Sequence, residues 1–113
     1  MSTKSYICVA DSSSTALCIY SHVGDPQYMK KMLERYYSDL EFALKLVKGG
    51  DIKYLSGDLQ EVETERYKPQ TGPKYISNNR LMNLLDGVDY LYYMGKKGEW
   101  FYADREMQEW QPL

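Results

Sequence analysis

The feature that most constrains this chain is a change of hydrophobic period at Pro26. Upstream, residues 6–10 and 15–20 are β-rich runs separated by Asp11-Ser12-Ser13-Ser14. Short hydroxyl and carboxylate side chains bond nearby backbone and so favour turns, and this pattern predicts a β-hairpin. Downstream, Met29, Met32, Leu33, Tyr36 and Tyr37 recur at i, i+3, i+4, i+7 and i+8, one face of an α-helix. Lys30, Lys31, Glu34 and Arg35 take the opposite face. Asp25 before Pro26 suits the helix start, with Asp as N-cap and Pro at the first helical position. A chain that changes period in this way lays helices on a sheet.

The remaining segments extend that reading. Ser38-Asp39-Leu40-Glu41 has the form of a capping box opening a second helix. Its face is Leu40, Ala43, Leu44 and Val47, and Glu41 pairs with Lys45 one turn on. Phe42 and Leu46 lie off that face, which implies burial on two sides, and Gly49-Gly50 supplies the stop. Residues 51–57 read as a short turn with Ile52 and Leu55 as its aliphatic residues. Residues 59–67 alternate weakly and read as an edge strand whose charges discourage further pairing. Pro69, Gly72 and Pro73 make 68–74 an irregular loop. Residues 77–86 read as a third, short helix with Leu81, Leu84 and Leu85 inward and Gly87 as its stop. Residues 88–94 and 99–103 around Gly95-Lys96-Lys97-Gly98 form the clearest hairpin of the chain. The expectation is a single α+β domain over residues 1–113. It comprises an antiparallel sheet of four to five strands holding both hairpins, with two to three helices packed on one face.

Composition sets bounds on function. The chain has 113 residues and a formal charge of −2, the size of one domain. A hydrophobic share of 43% and a charged share of 27% are those of a globular protein rather than a disordered one. No apolar run approaches the roughly 18 residues of a membrane-spanning helix. Met1-Ser2-Thr3-Lys4-Ser5 lacks the apolar stretch of a signal peptide, so the expectation is a cytoplasmic protein without membrane contact. Cys8 and Cys18 fall on neighbouring predicted strands, and reduced, buried thiols are the default there. A three-residue loop would set them opposite each other and make a disulfide geometrically possible. Neither has a Cys or His at metal-ligand spacing, and no metal or other cofactor is expected. The twelve Tyr against two Phe and two Trp fit either a sheet with one wet face or a tyrosine-lined recognition surface.

Candidate chemistry is sparse. His22, the only histidine, lies near Asp25, and an imidazole beside a carboxylate is the minimum for acid–base work. The two define one candidate loop site for a small enzyme or nucleotide-binding protein. The other reading is a ring that bonds backbone and fixes the loop. No Ser or Cys stands in a nucleophile motif, and the glycines do not form a phosphate cradle, so no catalytic residue is assigned. Residues 1–50 carry five acids and six bases, whereas 51–113 carry eleven acids and eight bases. The basic face Lys30, Lys31, Arg35 falls far short of a nucleic-acid footprint. Asp58, Glu61, Glu63 and Glu65 form one acidic stretch, and Asp104, Glu106 and Glu109 another. These are either solvated faces or, with Tyr90, Tyr92, Tyr93 and Tyr102, a surface that docks on the basic groove of a nucleic-acid-binding protein.

Three stretches also resemble a known group of proteins. They are Ala16-Leu17-Cys18-Ile19-Tyr20-Ser21-His22 running into the Pro26 turn and Leu33-Glu34-Arg35-Tyr36-Tyr37; residues 44–55, through Gly49-Gly50-Asp51-Ile52; and Asp89-Tyr90-Leu91-Tyr92-Tyr93 with Gly98-Glu99-Trp100-Phe101-Tyr102. Together they resemble an uncharacterised family of small bacteriophage and prophage proteins, in which a strand ending "IY-x-H" precedes a proline turn and an "LLEHY"-like helix. The turn departs from that pattern, because Val23-Gly24-Asp25-Pro26 is one residue shorter and lacks the family's aromatics. The resemblance implies a phage origin and no particular reaction. Size, inferred origin and acidic tyrosine-bearing surface together suggest an inhibitor that binds a host defence protein stoichiometrically, such as a CRISPR–Cas effector or another nuclease, inside the infected bacterium. A phage regulatory or structural accessory protein is the third reading.

Overall fold

The computed structural model describes residues 3–113; Met1 and Ser2 of the amino-terminal segment considered above lie outside the described residues. The first hairpin forms as its sequence requires. Strands β1 (Ser5–Ala10) and β2 (Thr15–Ser21) pair antiparallel, and the three-residue loop closes on the bond from Asp11 N–H to Thr15 O. Inside it the Ser12 hydroxyl meets that of Thr15, whose Oγ1 also donates to Asp11 Oδ1. Cys8 and Cys18 face each other across the register as buried free thiols.

Helix α1 (Pro26–Tyr36) starts after Asp25 with Pro26 in its first turn, and it buries Met29 and Leu33. Tyr36 is largely exposed, while Tyr37, just past the helix end, is buried. Helix α2 (Leu40–Lys48) is capped by Asp39, which accepts from Glu41 N–H, and not by Ser38. An Asx cap one residue later satisfies an orphan donor at the same helix end. Ala43, Leu46 and Val47 are buried, whereas Phe42 is 47% exposed, so only one of the two off-face residues is covered.

Three expectations are corrected. Residues 59–67 do not form an edge strand. Leu59–Thr64 is a short helix, α3, capped by Asp58 and anchored by Val62, and Arg66 makes an isolated bridge to Ile52. The sheet has six strands rather than four or five, because Lys74–Ser77 (β3) and Gln111–Pro112 (β6) join β1, β2, β4 (Tyr90–Met94) and β5 (Trp100–Asp104). It is also mixed rather than antiparallel, in the order β3-β2-β1-β4-β5-β6 with β1 and β4 parallel. The physical reason is the connection. β3 and β4 run the same way on either side of the first hairpin, and parallel strands need a crossover segment between them. That segment is Asn78–Asp86, a 3-10 helix stopped at Gly87.

The crossover also overturns the picture of helices on one face. Ile7, Val9, Leu17, Ile19, Tyr92 and Met94 point to one side and pack with α1, α2 and Val62. Cys8, Ala16, Cys18, Leu91 and Ala103 point to the other, where Leu81 and Leu85 of the 3-10 helix cover them. Both faces of β1 are apolar, so neither can be left wet. Among the described residues no helix is long and apolar enough to cross a membrane.

Candidate functional site

The second hairpin builds the candidate site. Register places Tyr90 opposite Asp104 and Tyr92 opposite Tyr102. Period-two alternation sends Tyr90 and Tyr92 to the face packed against α1 and α2, and Tyr93 to the face packed against the 3-10 helix. Tyr92 is fully buried and donates its hydroxyl to Gly24 O at 2.7 Å, so it is core and not surface. Tyr93 packs on the opposite face, with its ring 5.3 Å from that of Trp110. Tyr90, at the open end of the hairpin, and Tyr102, in the middle of β5, are half-buried.

Around Tyr90 lies an open cleft of about 320 Å³ lined by Asp89, Tyr90, Asp104, Arg105 and Glu106. Burial first, and then the carboxylates of Asp104, Asp25 and Asp89, push the Tyr90 phenol above its ordinary value. It therefore remains a neutral hydrogen-bond donor ringed by negative charge. Asp89 is held rigidly. Its Oδ2 accepts from Lys4 N–H at 3.0 Å, and its own N–H donates to Lys4 O at 2.9 Å. Arg105 stands 3.8 Å from Asp89 and donates through Nε to Leu85 O and Val88 O, each at 3.1 Å. Asp104 Oδ1 accepts from Met107 N–H at 2.6 Å, closing the turn that exposes Glu106.

The ten predicted binding residues therefore do not form one surface. Tyr90, Asp104 and Glu106 line one cleft, Tyr102 lies beside it in the middle of β5, and Glu109 is exposed farther along the same segment. Glu61, Glu63 and Glu65 belong to α3 and its end, with internal partners. Glu61 accepts from Ser56 Oγ at 2.7 Å, Glu63 pairs with Arg66 at 2.8 Å, and Glu65 O accepts from Lys53 N–H at 2.7 Å. No hydrogen bond or ion pair joins α3 to the β4–β5 cleft among the described residues. Sequence reasoning missed Asp89 and Arg105, although both flank predicted members directly in the chain.

His22 and Asp25 are not joined by a hydrogen bond or ion pair. The His22 ring is exposed, with Nδ1 3.0 Å from the Tyr20 hydroxyl, in a cluster that continues through Tyr20 to Tyr6 and Tyr67. Asp25 instead acts on Tyr90 and Tyr92 across the start of α1. No group of three or more His, Cys, Asp or Glu able to hold a metal ion occurs among the described residues. The cleft presents a phenol donor, an aromatic ring and carboxylates. Comparison with family models, with curated proteins and with solved structures finds no match for the chain.

Proposed function

We propose that the protein works by stoichiometric binding, through the β4–β5 cleft, to a basic surface of another protein, and that this partner is a nucleic-acid-binding defence effector of a bacterial host. The observation that carries the reading is the cluster around Tyr90. Asp89, Asp104 and Glu106 line the cleft with a single guanidinium, Arg105, beside the half-buried Tyr90, and the Asp25 carboxylate adds to the negative field on that phenol. Tyrosine with peripheral carboxylates suits a basic groove, because the ring supplies anchoring area while the charges steer encounter. The resemblance to small phage proteins supports the setting, the cytoplasm of an infected bacterium.

The test is affinity capture from bacterial lysate at low and physiological salt, with the double variant Asp104→Lys/Glu106→Lys beside the unaltered chain. A nucleic-acid-binding protein should be recovered in molar amounts by the unaltered chain. The double variant should associate roughly tenfold more slowly, since rim charges act chiefly on the association rate. Its melting temperature should hardly move, because exposed charges contribute little to stability. Capture indifferent to salt and to the reversals would overturn the reading.

A further inference from the structure

The opposite edge of the sheet presents a second, differently charged surface. Of the two outer strands, β6 is two residues long and ends in Pro112, whereas β3 is four residues long. Asn78 N–H donates to Ser14 O at 2.9 Å, in step with the β2–β3 register. Antiparallel ladder bonds recur at every second residue. Lys74 and Ile76 therefore bond β2, and the backbone N–H and C=O of Tyr75 and the N–H of Ser77 point away from the sheet. The Ser77 C=O is taken by the first turn of the 3-10 helix it caps. The Tyr75 side chain is 69% exposed, the most exposed large hydrophobic residue described. Beside it an open groove of about 350 Å³ runs between the strand edge and the 3-10 helix, lined by Tyr75, Ile76, Ser77, Arg80, Asn83 and Leu84. Charge here is one-sided. Residues 67–85 contain Lys68, Lys74 and Arg80 and no acid, in a chain whose net charge is negative.

We propose that this edge takes an extended, acidic segment of a partner protein by strand addition. The partner's main chain would bond Tyr75 and Ser77, one of its apolar side chains would enter the groove against Ile76 and Leu84, and its carboxylates would face Lys74 and Arg80. Main-chain bonds give such complexes affinity, and alternate side chains give them specificity. A second copy fits less well, because pairing β3 with itself about a two-fold axis brings Lys74 and Arg80 of both copies to one interface. Lysine on an edge discourages that pairing. The same charge attracts an acidic strand. The site is independent of the β4–β5 cleft, from which β2 and β1 separate it in the sheet.

The experiment titrates the full chain with a labelled, acetylated peptide alternating Val or Thr with Glu, and with its Lys-for-Glu counterpart. Tyr75→Pro removes one outward donor and leaves the bonds to β2 in place, as proline is tolerated on the solvent side of an edge strand. Arg80→Glu reverses the charge without touching the ladder, and decides the matter if the proline variant unfolds. The acidic peptide should bind, each variant should weaken it at least roughly tenfold, and the basic peptide should bind at least as poorly as the variants do. The Tyr75 and Ser77 amides should gain protection from hydrogen exchange in the complex. No binding of the acidic peptide at about 1 mM, where even a weak complex of about −4 kcal/mol is half formed, would overturn the proposal. Equal binding of both peptides, or protection confined to β4–β5, would do the same. So would a concentration-dependent dimer that Tyr75→Pro dissociates, since the edge would then belong to a second copy.

Discussion

Tyrosine is used here as a core residue whose polar tip ties separate elements together. Tyr37 is buried past the end of α1, its hydroxyl donates to Ser56 O at 2.7 Å, and its carbonyl accepts from Trp100 Nε1 at 2.9 Å. One residue thus links α1, the segment before α3, and β5. Burial pushes the Tyr37 phenol from its ordinary value of 10.0 up to about 12, outweighing the opposing effect of Arg66. The folded chain therefore holds this proton more tightly than the unfolded chain. The associated stability is complete below about pH 10 and is lost as pH rises toward 12. Tyr37→Phe should cost about 0.5–1.5 kcal/mol at neutral pH through the lost hydrogen bond. It should also flatten the decline of stability above pH 10 relative to the unaltered chain. Urea unfolding at a series of alkaline pH values measures both, and an unchanged alkaline slope would refute the assignment. The excess of tyrosine was visible in the composition, but which rings are core and which are surface depended on register and on the second covered face.

The segment 59–67 shows what short elements conceal. Leu59 and Val62 are a single i, i+3 pair, too little for a helical period to stand out against charged neighbours. β3 was hidden for the converse reason, since three of its four residues are exposed and give no alternation. What fixes α3 is Arg66, which is 5% exposed. Its guanidinium donates to Gly50 O at 2.6 Å and Leu46 O at 3.0 Å, and to both Glu63 carboxylate oxygens at 2.9 and 2.8 Å. Arg66 thereby satisfies carbonyls at the end of α2, and Gly49 must lack a side chain because a Cβ there would meet the guanidinium. The bond from Arg66 holds the Glu63 carboxyl below its ordinary value, so this contribution is present at neutral pH and is lost as pH falls through the depressed value. The two halves of the pair are unequal, because Glu63 is 57% exposed and its attraction is screened. Arg66→Met should cost about 2–4 kcal/mol by stranding buried carbonyls, whereas Glu63→Gln should cost less than about 1 kcal/mol. Arg66→Lys should rescue little, since one ammonium cannot reproduce the fork. Equal costs for Arg66→Met and Glu63→Gln in chemical denaturation would show that the ion pair, and not the carbonyl capping, holds α3.

At the scale of the molecule, local patterning yields the two hairpins, α1 and α2, but not the register that pairs Tyr90 with Asp104 and Tyr92 with Tyr102. Nor does it yield the side-by-side placement of β1 and β4, whose paired residues are 85 apart in sequence and which are joined by bonds such as Asp89 N–H to Lys4 O. Asp25 and Asp89 enter the candidate site only through that placement, which is why half of the acidic ring around Tyr90 was illegible. The parallel pairing has a measurable consequence. β1 is bonded on both sides, by β2 and β4, and Ile7, Cys8 and Val9 have no exposed surface. Its amides can open only when both hairpins separate, so the hairpins should behave as one cooperative unit. Native-state hydrogen exchange should find Ile7, Val9, Leu17, Ile19 and Leu91 exchanging together through global unfolding, at a free energy of roughly 5–15 kcal/mol for a domain of this size. The outward amides of β3 and those of α3 and β6 should exchange by local opening, about two or more orders of magnitude faster. If the β4–β5 amides were released while β1–β2 stayed protected, the hairpins would be separate units. The cleft around Tyr90, which needs Asp25 and Asp89 beside the second hairpin, would then be a transient arrangement and not a preformed site.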